Sequence, residues 1–509
     1  MPTVRFTAPE YNAEGSFARV TYEFQGTDTQ GWSVRREDRE VLRLGPGYKL
    51  LRSNQCGVCS TDLARHFLPY PLPQIIGHEV VALDDADRPV VVEINASHLA
   101  RGEHADDCPF CSGGLATQCP ARITLGIDRL PGGFAPYMLA PRDAILPVPA
   151  AISPRVATLT EPFAAALHGV ERSAPVAGES VAVLGPRRLG MLTLAALLAY
   201  RRDSGIDFEI VAVVRHDRPR DLCKLLGVDR VVDTRETELT TMKAAFDLVF
   251  DTTGKPDGLA AAYELAGRAV HLKSTHGRAV AGLDHLSDLV VDELTLRAFC
   301  PRAATEFGWP GESSARENLH VFVGPGVSEE TAAKINAFRA KTGRPAATLH
   351  RESFAEGLER VTAAAKSEAA LARLLPGATL PRFDLALVAA PTDIDRVIRP
   401  EPEREVALVR PRGVIFYCKD ASSPGAGADF EPLAGALGRG VSVDSSRCGS
   451  FARALELLEG APEVAAFLES HMITHEYDLE RIEEAFLTAA DSASSIKVLV
   501  NTLAKTTDS

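Results

Sequence analysis

The chain has 509 residues, of which 45% are hydrophobic and 24% charged, with 39 glycines; it is too long for a single hydrophobic core and has the make-up of ordinary globular domains. Its 68 acidic residues against 55 basic ones leave a net charge of −13, which argues against nucleic acid or an anionic membrane surface as partner and directs attention to small molecules. The N-terminus lacks a basic segment followed by an apolar one, and no run reaches the length of a membrane span. Five of the nine cysteines fall between residues 56 and 119. This clustering suits reduced metal ligands in a cytoplasmic protein better than disulfides.

In chain order, residues up to about 155 hold short β-rich runs such as Val90-Val91-Val92-Glu93-Ile94, broken by turns such as Leu130-Pro131-Gly132-Gly133, and read as a compact β domain. From residue 156 the texture changes. A helical stretch around Ala164 to Leu167 precedes the apolar run Ser180 to Leu184, a glycine-containing turn, an apolar helix and the run Glu209 to Val214. Strands alternating with helices predict a parallel α/β sheet, continued by Phe246–Asp251, Ala269–Leu272 and Leu294–Phe299.

A second run of like texture follows. Leu319 to Val323 leads through Gly324-Pro325-Gly326 into a predicted helix from Ser328 to Ala340, with Gly324 to Ser328 read as a plain loop-to-helix turn. Phe383-Asp384-Leu385 echoes Phe246-Asp247-Leu248, and Arg412 to Phe416 echoes Gly267 to His271. Residues 301–448 therefore read as a degenerate copy of the preceding nucleotide-fold region, against the alternative of two unrelated α/β segments. Beyond it, helices at Phe451 to Leu458 and Ile482 to Ala490 and a strand from Lys497 to Val500 are expected.

Chemistry concentrates at Cys56-Gly57-Val58-Cys59-Ser60-Thr61-Asp62 and, nineteen residues after Cys59, His78-Glu79. A thiolate, an imidazole and a carboxylate delivered by two loops suit a catalytic Zn²⁺ that keeps positions open for substrate. A second group, Cys108-x2-Cys111-x7-Cys119, supplies three thiolates and needs a fourth donor; of the nearby His104 and Asp106, His104 is favoured, giving a Cys₃His site. Cys223, Cys300, Cys418 and Cys448 are read as packing residues. The turn after the run Ser180 to Leu184, Gly185-Pro186-Arg187-Arg188-Leu189-Gly190, has its outer glycines at dinucleotide-fingerprint spacing, but Arg187 replaces the central one. That guanidinium either crowds a diphosphate or binds it. Arg215 and His216 stand where an NAD-preferring fold ends its second strand with an acid, which favours NADP over NAD.

The succession CGVCSTD, GHE, the cysteine cluster, GGFA, EPFAAALHG, a strand-turn-helix and a closing KVLV resembles the zinc-dependent alcohol, polyol and threonine dehydrogenase branch of the medium-chain dehydrogenase/reductase superfamily. The resemblance implies a GroES-like catalytic domain at 1–160 completed by 449–509, a Rossmann dinucleotide-binding domain at 161–300, and the inserted Rossmann-like copy at 301–448. It implies hydride transfer between NAD(P) and an alcohol, polyol or related carbonyl. By the same resemblance Cys59, rather than Cys56, binds zinc with His78 and Glu79; Glu161 lies beside or on the metal, Thr61 relays the alcohol proton, and Thr253 supports the nicotinamide ribose. His168 is read as a structural or cleft-lining residue. Members of this kind pair through edge strands of the Rossmann sheet, so a homodimer or a pseudo-dimeric monomer is implied. The competing reading is a divergent, non-catalytic ligand-binding member in which Arg187 abolishes dinucleotide binding; zinc-dependent lyase or hydrolase chemistry is a third.

Overall fold

A computed structural model describes residues 2–68, 70–103, 108–273, 280–299, 319–341, 343–365, 382–401, 407–418 and 428–503. His104, Asp106 and Cys300 lie outside them. The contacts divide the chain into two units, one made of residues 1–168, 187–205 and 448–509, the other of 169–186 and 206–447.

The first unit opens with an antiparallel meander of β1 (Thr3–Tyr11), β2 (Phe17–Thr27), β3 (Gly31–Arg36) and β4 (Arg39–Leu44). Buried and exposed residues alternate along β2, as expected where only one face meets a core. Next come β5 (Tyr48–Gly57), β6 (Glu79–Leu83), β7 (Pro89–Val92), β8 (Asn95–Ala96), β9 (Ile123–Thr124), β10 (Tyr137–Pro141) and β11 (Ile145–Pro147).

The second unit holds one sheet, built from β12 (Ser180–Leu184), β13 (Glu209–Val214), β14 (Arg230–Asp233), β15 (Phe246–Asp251), β16 (Ala266–Leu272), β17 (Thr295–Ala298), β18 (His320–Val323), β19 (Thr348–Arg351), β20 (Phe383–Val388), β21 (Val409–Tyr417) and β22 (Ser442–Ser445). Their order is β14-β13-β12-β15-β16-β22-β17-β21-β20-β18-β19. Runs such as Ile210-Val-Ala-Val-Val214 and Phe383 to Val388 are buried throughout, the pattern of parallel strands covered on both faces. The region expected as a separate copy thus contributes its strands to a sheet shared with the first.

The chain then returns to the first unit, where β23 (Ile473–Asp478) and β24 (Lys497–Asn501) extend the β5 sheet, ordered β11-β7-β6-β5-β24-β23. β24 runs antiparallel to β5, with Val500 opposite Cys56. This return places the C-terminal strand beside the first metal motif. Among the described residues no helix is long and apolar enough to cross a membrane.

Candidate active site

β5 ends at Gly57, and Cys59 caps the short helix Ser60–Leu63, its amide donating to Asp62 Oδ2 at 2.9 Å. The loop carrying His78 turns at Gly77, whose φ of +98° is left-handed and whose missing Cβ would lie 2.7 Å from the Phe134 ring and 2.8 Å from Cys56 Sγ. Glycine is required there by both conformation and space. The turn delivers His78 and, as the first residue of β6, Glu79 opposite Gly57.

Cys59, His78 and Glu79 offer ligand atoms that all lie within 4.8 Å of one another. His78 is buried, and its Nδ1 sits 3.3 Å from the buried carboxylate of Asp62. That approach is an ion-pair contact without hydrogen-bond alignment, since neither atom has a hydrogen-bond partner. Burial alone would lower the His78 pKa, but the charges of Asp62 and Cys59 hold it well above its ordinary value. An imidazole oriented through one nitrogen by a carboxylate is the usual support of a metal-bound histidine.

Lys497, the first residue of β24, is 4% exposed and Glu79 fully buried. Its Nζ donates to Glu79 Oε1 at 2.7 Å, to Glu79 Oε2 at 2.5 Å and to the Val58 carbonyl at 3.4 Å. Burial opposes the ammonium, yet the charges of Glu79 and Cys59 raise its pKa. Cys56 is fully buried and desolvation pushes its thiol well up, so it stands as a packing thiol outside the donor group. Glu161, on the helix Thr160–Ser173, is not a member of that group; Thr61 lies on the helix Ser60–Leu63 that Cys59 caps.

The second cluster is completed by a residue the sequence reading passed over. His98 joins Cys108, Cys111 and Cys119 in a four-donor group within 4.8 Å, with His98 Nδ1 3.5 Å from Cys119 Sγ. Its other ring nitrogen lies 3.9 Å from Glu103 Oε2. Burial pushes the Cys119 thiol up to about 12. A Cys₃His set of this compactness fits a tetrahedral zinc. Cys223 and Cys418 are buried as expected, Cys448 half-buried, and the eight described cysteines are all free thiols.

In the glycine turn, Gly185 has φ +74°, and a Cβ there would lie 2.8 Å from Thr253 Cγ2. Thr253 Oγ1 in turn donates to Asp251 Oδ1 at 2.7 Å. Both residues follow the C-terminal ends of paired strands β12 and β15, the switch point of a doubly wound sheet. Arg187 caps the helix Arg188–Ser204, and its guanidinium donates to the Ser492 carbonyl at 3.0 Å. Arg188 bonds to the Ala489 carbonyl and, at 3.2 Å, to Ser495 Oγ. Burial and Arg187 lower the Arg188 pKa while Cys59 and Glu79 oppose the shift, so this cation lies within Coulombic reach of the metal donors. Leu189 is half-buried and Gly190 buried; Arg215 and His216 are exposed just past β13.

Lys497, Asp62, His98 and Arg188 were not picked out from sequence. The available signals were a lysine opening an apolar strand, an acid inside the CGVCSTD motif, and a histidine ten residues before Cys108.

Residues 45–150 match the alcohol dehydrogenase GroES-like domain. An L-threonine 3-dehydrogenase of Rhizobium etli is 28% identical over 46% of this chain and 66% of its own length, and one of Deinococcus deserti is 28% identical over 44% and 67%. The L-idonate 5-dehydrogenase structure from Escherichia coli aligns with TM-score 0.53 and 15% identity, covering 98% of this chain and 99% of that one. A zinc-binding dehydrogenase of Sinorhizobium meliloti, solved with NADP, aligns with TM-score 0.52 and 17% identity over 98% and 99%. At such identities the structures speak for the fold alone, and the match to the first relative covers just under two thirds of its length.

Proposed function

We propose that this chain, which has the GroES-like and Rossmann architecture of the zinc-type medium-chain dehydrogenase/reductases, is an oxidoreductase that transfers a hydride between NAD(P) and an alcohol, polyol or related carbonyl. The observation that carries this reading is the convergence of Cys59, His78 and Glu79 within 4.8 Å, supported by Asp62 and Lys497. Cys59 and His78 would hold zinc with Glu79, and Glu161 is assigned as an exchangeable partner. Bound there, zinc supplies a Lewis acid that lowers the pKa of a coordinated hydroxyl.

The protein's own groups do the rest. Asp62 orients His78; Lys497 compensates the Glu79 charge in a buried setting. Thr61, beside Cys59 in sequence, is assigned to pass the alcohol proton towards solvent. Gly185, Leu189, Gly190 and Thr253 are assigned to the dinucleotide, with Arg187 as a phosphate ligand once it releases the Ser492 carbonyl. Arg215 and His216, exposed past β13, suit a 2′-phosphate, so NADP is the favoured carrier. The His98, Cys108, Cys111 and Cys119 group is assigned a structural zinc. The free thiols suit a cytoplasmic setting.

The test is titration of zinc-loaded protein with NADPH and NADH by nucleotide fluorescence, followed by turnover assays on secondary alcohols, polyols and L-threonine. Saturable binding with turnover is the expected result. Failure to bind either nucleotide at millimolar concentration would overturn the reading in favour of a non-catalytic ligand-binding protein.

A further inference from the structure

The eleven-stranded sheet has an internal symmetry that neither the relatives nor the proposed chemistry explains. On one side the order outward is β16, β15, β12, β13, β14; on the other it is β21, β20, β18, β19. The four strands of the second side repeat the doubly wound connections of the first four of the other, read in the opposite direction, with no counterpart of β14 among the described residues. Two details match beyond strand order. β15 and β20 both begin Phe-Asp-Leu, and both pair with the next strand through a register shift at the same place, between Phe246 and Leu248 and between Phe383 and Leu385. The aspartate of each motif also accepts the amide at the start of the neighbouring first strand: Ser180 N–H to Asp247 Oδ2 at 2.8 Å, and His320 N–H to Asp384 Oδ2 at 2.9 Å. Unrelated α/β segments have no reason to share a bulge and the hydrogen bond beside it.

The centre of the sheet shows how the halves are joined. β17 follows β16 in the chain but runs parallel to β21 of the other half; β22 follows β21 but runs parallel to β16 of the first. Each half has lent its last strand to the other. The two lent strands meet antiparallel at Leu296 and Val443, the relation that a two-fold axis imposes on equivalent strands of a dimer. The joint is cross-linked: Thr295 Oγ1 donates to Asp444 Oδ1 at 3.1 Å, and Ser445 Oγ to the Leu294 carbonyl at 2.9 Å. The buried Glu293 carboxylate accepts from the Arg412 guanidinium at 2.7 Å and the Arg447 amide at 2.8 Å. Core residues of both halves, among them Phe246, Val270, Phe383 and Ile415, belong to one apolar cluster.

We infer that residues 319–447 take the place of a second subunit, so that the chain is a fused, strand-exchanged pair of α/β halves and is monomeric in solution. The edge through which a six-stranded half would otherwise recruit another copy is consumed inside the chain. The remaining outer edges, β14 and β19, are four residues each and carry Arg230, Asp233 and Arg351, the short charged edges that discourage strand addition.

Two measurements on the intact chain test this, and neither depends on the proposed catalysis. Light scattering or sedimentation should give the mass of one chain across a wide concentration range; a two-chain mass overturns the inference. Hydrogen exchange followed by mass spectrometry should show the amides of β17 and β22 protected by at least ~100-fold over those of β14 and β19. A monomer in which either β17 or β22 exchanges as fast as an outer edge would equally overturn it.

Discussion

Replacing Lys497 by methionine tests whether the pair behind the metal donors holds this region together. At N–O separations of 2.5 and 2.7 Å, an effective dielectric of ~20 puts the attraction at about 6 kcal/mol. Much of that offsets the desolvation of two buried groups, so the relevant comparison is breaking one side of the pair, which costs about 3–5 kcal/mol by leaving the other charge unpaired. Glu79 has no exposed surface to fall back on. Lys497→Met should therefore lower the melting temperature by roughly 6–20 °C, at about 2–4 °C per kcal/mol for a body of this size. Glu79→Gln combined with Lys497→Met should recover most of the loss, because an apolar or neutral replacement of the whole pair is close to neutral. Calorimetry on metal-stripped wild type, both single variants and the double variant makes the cycle independent of zinc. A Lys497→Met variant within about 1 kcal/mol of wild type, or a double variant as unstable as the two single losses summed, would refute the argument.

His98→Ala should remove one zinc equivalent per chain by elemental analysis, with His104→Ala keeping it; the reverse pattern would return the fourth position to His104. Asp62→Asn, which leaves His78 without its carboxylate, should weaken zinc at the first cluster about 10–100-fold in a competitive chelator titration. Arg215→Glu should raise the NADPH dissociation constant by roughly 10–100-fold with little change for NADH, measured by nucleotide fluorescence. His350 is held down to about 4 from 6.5, by burial first and then by Arg360 and His320, against the pull of Glu352. Between those values the unfolded chain takes up a proton that the folded chain refuses, so stability falls as pH drops through that window. His350→Gln should abolish a loss on the order of 1–2 kcal/mol, discounted for partial solvent access, in denaturant titrations at pH 7 and pH 4.5. An unchanged acid loss would show that His350 is not its source.

What is local can be read directly from the chain. Cys59 and His78-Glu79 are legible because a motif and a short loop carry them, and the strands from Ser180 to Leu272 because parallel strands buried on both faces are continuous apolar runs. The Phe-Asp-Leu echo was legible for the same reason, as a repeated string. What those elements meet depends on packing between distant parts of the chain. Lys497 reaches Glu79 across 418 positions of chain, and nothing in the run Lys-Val-Leu-Val states which strand it will lie beside. His98 joins the three cysteines because ligand sets are chosen by where loops fold, which spacing along the chain does not state. The exchange of β17 and β22 is the clearest case. Hydrophobic period specifies that a segment is a strand and which face it buries, but its neighbour is set by long-range pairing that the period does not encode.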